Sequence, residues 1–136
     1  MNEAEALAKF GVIPPPDQRL EIRQLLEGEI ARYDLEQAAD EFIKLLCVQL
    51  FAGSRVEDSL LIWQAKQLSF DLGCSIDVQL LCGAGLEPTK QFLAAHPSED
   101  ARAALDYIRH CESVQNFDGF SPESYRAEYR RYYGPA

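Results

Sequence analysis

Apolar residues recur along the chain at intervals of three and four, and no segment keeps the strict alternation that marks a half-buried strand. This periodicity predicts an all-α fold, cut into short pieces by Gly, Pro and capping residues. Residues 2–10 read as one short amphipathic helix. Gly11 and the run Pro14, Pro15 and Pro16 stop it, because proline lacks a backbone donor and forces extended geometry. Residues 1–16 are therefore a short N-terminal helix plus a Pro-rich connector, inside a single helical domain that spans 1–136.

Asp17 is placed to cap the next helix, in which Ile22, Leu25, Leu26, Ile30 and Tyr33 share a stripe while Glu21, Arg23, Glu27 and Glu29 face water. Asp34 marks the start of a third helix that runs to about Ala52 and stops at Gly53. Its lead-in of Leu35, Ala38, Ala39 and Phe42 continues in helical phase into FIKLLCVQLF at 42–51, where eight of ten residues are apolar. Little of that helix can face water, so it reads as the central one; a buried strand is the competing reading.

Ser54 followed by Glu57 matches a capping box, opening a helix to about Leu72 with Val56, Leu60, Leu61, Trp63, Ala65 and Leu68 on a wide face and Gly73 as its end. Ser75 starts a short helix through Cys82, broken by Gly83, Ala84 and Gly85. Residues 87–95 form another, with Pro88 in its first turn. Ser98 caps a helix to about Cys111 that carries Ala101, Ala104, Leu105 and Ile108 on one face. After a polar loop at Asp118 and Gly119, Ser121, Pro122 and Glu123 open a last helix that ends near Tyr133, with Arg130 and Arg131 suiting its negative end.

Two LLC triplets, at 45–47 and 80–82, stand 35 residues apart, close to a helix-pair repeat period. Their flanks do not sustain the match. The expected architecture is a compact irregular bundle of about six to seven helices, with a short helical-repeat-like stack as the alternative.

Composition narrows the classes. The chain has 136 residues, 13 basic and 22 acidic side chains, a formal charge of -9 and 47% hydrophobic residues. A chain of this size buries roughly two-thirds of its unfolded surface and needs no metal or disulfide staple. Its negative balance opposes phosphate, so no nucleic-acid partner is expected. The 42–51 run is about half a membrane span, and the opening MNEAEALAKF lacks the basic-then-apolar pattern of an export signal. The expectation is a cytoplasmic protein with no membrane partner, whose Cys47, Cys74, Cys82 and Cys111 stay thiols and act first as small hydrophobes.

Chemistry-bearing constellations are sparse. Cys74, Cys82, His110 and Cys111 supply zinc ligand types, but seven residues separate the first two, and the adjacent last two point about 100° apart on a helix. Cys74 lies between Gly73 and the helix start at Ser75, where a helix dipole would lower its pKa. Asp106 and His110 are spaced as an acid/base pair, yet Arg102 and Arg109 are equally near and make a surface ion cluster. His96 before Pro97 reads as a turn residue. Gly83, Ala84 and Gly85 lack the preceding strand and Lys of a phosphate loop. Asp71 and Asp77 could pair across a turn at Gly73, although helix-end roles explain both.

Two patterns suit a binding surface. Trp63, Lys66 and Phe70 fall at i, i+3 and i+7, aligning an indole, an ammonium and a phenyl ring if one helix runs through them; the alternative places the rings in the core with Lys66 snorkelling. Tyr125, Tyr129, Tyr132 and Tyr133 form a second stripe beside Arg126, Arg130 and Arg131, suited either to an interface or to docking the last helix on the bundle. The chain therefore reads as a small acidic protein-binding module without catalytic residues, metal or cofactor, directed at a basic protein partner. An immunity- or antitoxin-type inhibitor is one concrete version. The alternatives are a thiol-dependent enzyme or redox sensor centred on Cys74, with His110 brought near by folding, and a helical-repeat adaptor. The oligomeric state is left open.

Overall fold

The computed structural model describes residues 1–37 and 39–134, and among them every regular element is helical. Eight α-helices follow in order: α1 (Glu3–Phe10), α2 (Arg19–Ala31), α3 (Asp40–Ala52), α4 (Ser59–Lys66), α5 (Phe70–Ser75), α6 (Leu86–Ala95), α7 (Glu99–Ser113) and α8 (Pro122–Tyr133). Short 3-10 turns at Pro16–Gln18, Leu35–Gln37, Val56–Asp58 and Val78–Cys82 link them. This is the all-α irregular bundle expected, with one helix more than the upper estimate among the described residues. Helix lengths from 6 to 15 residues, interrupted by those turns, do not make a uniform stack of helix pairs.

α3 is the axis. Phe42, Ile43 and every residue from Leu45 to Ala52 are buried, leaving Lys44 as the one half-exposed position in that run. α1, α2, α4, α5 and α8 all pack on it, while α7 packs against α4 and α6 against α7 and the turns at Val56–Asp58 and Val78–Cys82. The polar residue inside this run ties two elements together. Gln49, 1% exposed, donates through Nε2 to the carbonyls of Gly11 (2.8 Å) and Ala6 (3.3 Å). It thereby fastens the end of α1 to the core. At the other end of α1, Asn2 and Glu5 form a reciprocal capping box, each side chain accepting from the other's backbone N–H.

Several expected helix boundaries move. α3 begins at Asp40, not Asp34. The Asp34 carboxylate accepts from the Glu36 N–H at 3.0 Å, so it stabilises the brief 3-10 turn and not a helix start. Leu35 in the expected lead-in is exposed, and Ala38 lies outside the described residues. Asp17 does not cap α2, because it sits inside the Pro16–Gln18 turn that the proline run leads into. The Ser54/Glu57 capping box does not form either: Ser54 adopts φ 60° and accepts from Arg126 (2.8 Å), while Glu57 pairs with Arg55 and α4 starts two residues later. α4 then stops at Lys66. Ser69 caps a separate α5 by accepting from the Leu72 N–H (3.1 Å), which leaves Gly73 inside a helix and Ser75 at its end.

Two tertiary contacts fix how the elements meet. A Cβ built on Gly83 would collide with the Phe51 carbonyl oxygen, so the loop after Val78–Cys82 approaches α3 only because residue 83 has no side chain. The Asp58 side chain, 2% exposed, accepts from Arg19 Nε (2.9 Å) and Nη2 (2.7 Å) and from Arg23 Nη1 (2.6 Å), locking α2 to the head of α4.

Both contacts are testable by chemical denaturation. Gly83→Ala is expected to cost about 1–3 kcal/mol, the ordinary range for forcing extra volume into a packed site; an unchanged midpoint would mean the backbones do not meet there. Asp58→Ala is expected to cost roughly 2–3 kcal/mol, on the low side for a broken buried ion pair because both arginines keep some contact with water. A loss below about 0.5 kcal/mol, typical of an exposed pair, would contradict the burial of Asp58.

Candidate functional site

Tyrosines three and four apart lie on one face of a helix, and α8 is built to present them. Ser121 Oγ accepts from the Ser124 N–H (3.1 Å) with Pro122 in the first turn, which sets where the helix starts and therefore where each ring points. No residue of α8 is fully buried. Rings make the attachment instead. Tyr125 meets Phe120 and Phe51 edge-on at centroid distances of 5.2 and 6.3 Å, Tyr129 follows Tyr125 at 6.3 Å, and Tyr133 stacks on Tyr129 at 6.2 Å. Tyr132 turns its edge to Tyr133 at 4.8 Å and stays 75% exposed.

A cleft of about 280 Å³ opens beside this stripe, lined by Tyr125, Tyr129 and Tyr132 together with Asp77 and Glu128. The Tyr129 hydroxyl lies 3.4 Å from Asp77 Oδ2, at the long limit of a donated hydrogen bond. Burial, and then the Asp77 carboxylate, push the phenols of Tyr129 and Tyr125 above their ordinary value, with Glu128 adding to the effect on Tyr125. The phenols therefore stay neutral, and the formal charge of the lining lies on Asp77 and Glu128. Aromatic faces beside two carboxylates suit an ammonium or guanidinium group. Lys44 already places its Nζ 6.0 Å from the Tyr129 ring centre.

The other expected surface, Trp63, Lys66 and Phe70, does not assemble on one helix, because the chain breaks between α4 and α5. Trp63 is 7% exposed and packs at 5.7 Å from Tyr107. Lys66 does not snorkel. Its buried ammonium donates to the carbonyls of Gly73 and Ile76 and lies 5.6 Å from the Tyr107 ring centre. Burial pushes its pKa down, against the pull of Asp77. Phe70, expected in the core or beside Lys66, is 84% exposed at the start of α5. Tyr33 donates to Asp40 (3.0 Å) and stands within reach of Ser69 and of the Asp71 charge, so Tyr33, Asp40 and the head of α5 share one side.

The Cys74 reading rests on a helix start at Ser75, which does not form. Cys74 is exposed and is the fifth of six residues in α5, at the opposite end of a helix from the one expected. It shares a cleft with Lys66, Asp77 and Tyr107, and His110 is not among that cleft's lining residues. Cys47, Cys82 and Cys111 are buried; desolvation raises the Cys82 thiol to about 12 and Cys47 still further. Asp106 and His110 lie on the exposed side of α7, and His96 Nδ1 accepts from the Ser98 N–H (3.3 Å) as a turn residue. Asp71 and Asp77 face different neighbours. Among the described residues no three His, Cys, Asp or Glu side chains are grouped to hold a metal ion, and no helix is long and apolar enough to cross a membrane.

Sequence reading misses Glu128 and takes Asp77 only as a helix-end residue or a partner for Asp71, because nothing local ties Asp77 to a tyrosine 52 positions onward. The chain matches no family model, no curated protein and no solved structure, so function must be read from its own geometry.

The buried thiols and phenols predict how stability varies with alkali. Unfolding returns Cys47 and Cys82 to the ordinary thiol value of 9.0, and Tyr129 and Tyr133 to the ordinary phenol value of 10.0, from folded values that are higher. Above those pH values the unfolded chain holds fewer protons than the native one, so stability is full below about pH 9 and falls as pH rises beyond it. Lys66 acts in the opposite sense, because its depressed value makes the unfolded chain bind more protons, but it is one group against four. Urea midpoints should drop between about pH 9 and 11, and less steeply above about pH 10 in Tyr129→Phe. A midpoint that rises over that interval would be incompatible with this burial pattern.

Proposed function

We propose that the protein is a small binding module, without catalytic activity or cofactor, that captures a basic segment of a partner protein. The observation that carries this reading is the α8 cleft, where three tyrosine rings and the carboxylates of Asp77 and Glu128 line one small space. A Lys or Arg side chain entering it would lay its aliphatic stem on the rings and bring its head to the carboxylates, an arrangement worth about 2 kcal/mol when desolvated. The formal charge of -9 supports the same partner class by steering basic surfaces toward the chain and phosphate-rich ones away. Phe70, exposed beside Asp71, offers an apolar contact next to a carboxylate outside that cleft. An immunity- or antitoxin-type inhibitor covering a basic protein is the concrete form this takes, acting in the cytoplasm.

The test is titration of the full chain with a lysine-rich peptide, acetyl-pentalysine amide, followed by backbone amide shifts. Shifts are expected at Asp77 and at 125–132, with affinity falling roughly tenfold between about 0.05 and 0.5 M salt. Glu128→Gln and Tyr132→Ala alter exposed positions and should each weaken binding about three- to tenfold without unfolding the chain. Salt-independent binding, or binding untouched by both substitutions, would remove the reading.

A further inference from the structure

A second pocket, remote in chemistry from the α8 cleft, lies between the Pro-rich connector, the start of α2 and the last turns of α3. Its volume is about 270 Å³. Ile13, the rings of Pro14 to Pro16, Ile22 and Leu50 give it apolar walls, and Ile13 at 43% exposure stands where the pocket meets solvent. Its polar lining consists of Gln49, Arg19 and Arg55.

Gln49 is the informative member. Both of its amide hydrogen bonds run from Nε2 to the carbonyls of Ala6 and Gly11, which fixes the orientation of the amide, since a flipped group would set oxygen against oxygen. That orientation leaves Oε1 buried with no hydrogen-bond donor among the described residues. A buried acceptor left unmatched costs about 1–3 kcal/mol, and the residue carrying it is 1% exposed in the wall of an open pocket. A guest N–H or O–H group that reached Oε1 through that wall would recover the cost.

The two arginines define the rest of the guest. Arg19 gives Nε and Nη2 to Asp58 and keeps Nη1 free of that pair. Arg55 is bound only to the exposed carboxylate of Glu57, at 3.1 Å. Counting Arg23 and Asp58, this corner holds three guanidiniums against two carboxylates, a local positive excess in a chain that is otherwise acidic.

We propose that this pocket binds a small apolar carboxylic acid carrying a hydroxyl or N–H donor: the donor meets Gln49 Oε1, the apolar body lies among the proline rings and Leu50, and the carboxylate pairs with Arg19 and Arg55. The volume fits a single-ring compound and excludes a nucleotide or an extended peptide. Nothing in this assignment depends on the α8 cleft or on a basic partner.

Three probes dissect it in amide-shift titrations of the uniformly labelled full chain: 3-(4-hydroxyphenyl)propionate, 3-phenylpropionate without the hydroxyl, and 4-ethylphenol without the carboxylate. Shifts should be confined to 13–19 and 49–55, and the complete probe should bind roughly tenfold tighter than either truncated one, about 1.4 kcal/mol for each missing group. Arg55→Ala, at an exposed position, should weaken the two acids about fivefold and leave 4-ethylphenol unchanged. Ile13→Trp should fill the pocket and abolish all three titrations while amide dispersion is kept. Equal affinity for the three probes, shifts centred elsewhere, undiminished binding in Ile13→Trp, or no shift at millimolar probe would each overturn the assignment.

Discussion

The structure is organised by one constraint: α3 has almost no face that tolerates water. A helix buried around its whole circumference must be enclosed, and enclosure by five other helices leaves few ways to arrange a chain this short. Phe51 shows how far the constraint reaches. Its carbonyl sets how closely the Gly83 loop approaches, and its ring receives Tyr125. The geometry of the α8 cleft is in that sense inherited from the core, and so is the pocket at the other side, whose floor includes Gln49 and Leu50 of the same helix.

Much of this was legible in the sequence where two signals agreed. Ser98 and Ser121 were readable as caps because each precedes a strongly periodic apolar or aromatic stripe, and Gly53 as a stop because periodicity lapses there. Asp17, Asp34 and Ser54 misled for one physical reason. A short polar side chain satisfies backbone N–H groups equally well in a 3-10 turn and at a helix start, and local sequence does not distinguish them. The break between α4 and α5 was hidden because apolar phase runs on through it, while Lys66, whose buried ammonium serves two carbonyls, looked like a solvent-facing residue. Within the candidate site the tyrosine spacing is a local property and was visible. The partnership with Asp77 is a tertiary one and was not.

Charge is distributed less evenly than the total implies. Ten of the 22 acidic side chains, but only four of the 13 basic ones, fall within residues 1–41. The acidic excess therefore belongs mainly to the stretch of sequence from α1 to the start of α3. Against this background the Arg19, Arg23 and Asp58 cluster is an inversion of sign, and it coincides with the apolar pocket. The proposed cleft and the proposed pocket are thus of opposite polarity, and both are lined by residues packed around one core.

α8 is the element least integrated into that core, held through flat rings and no engulfed aliphatic side chain. Native chains open in cooperative sections, and the section with the least enclosed surface opens at the lowest free energy. By that rule α8 is the section expected to open first, and its opening would take the tyrosine cleft apart and uncover the Phe51 ring against which Tyr125 packs. A guest that needs both walls of the cleft would bind only the assembled form, and by occupying it would act as a clasp on α8.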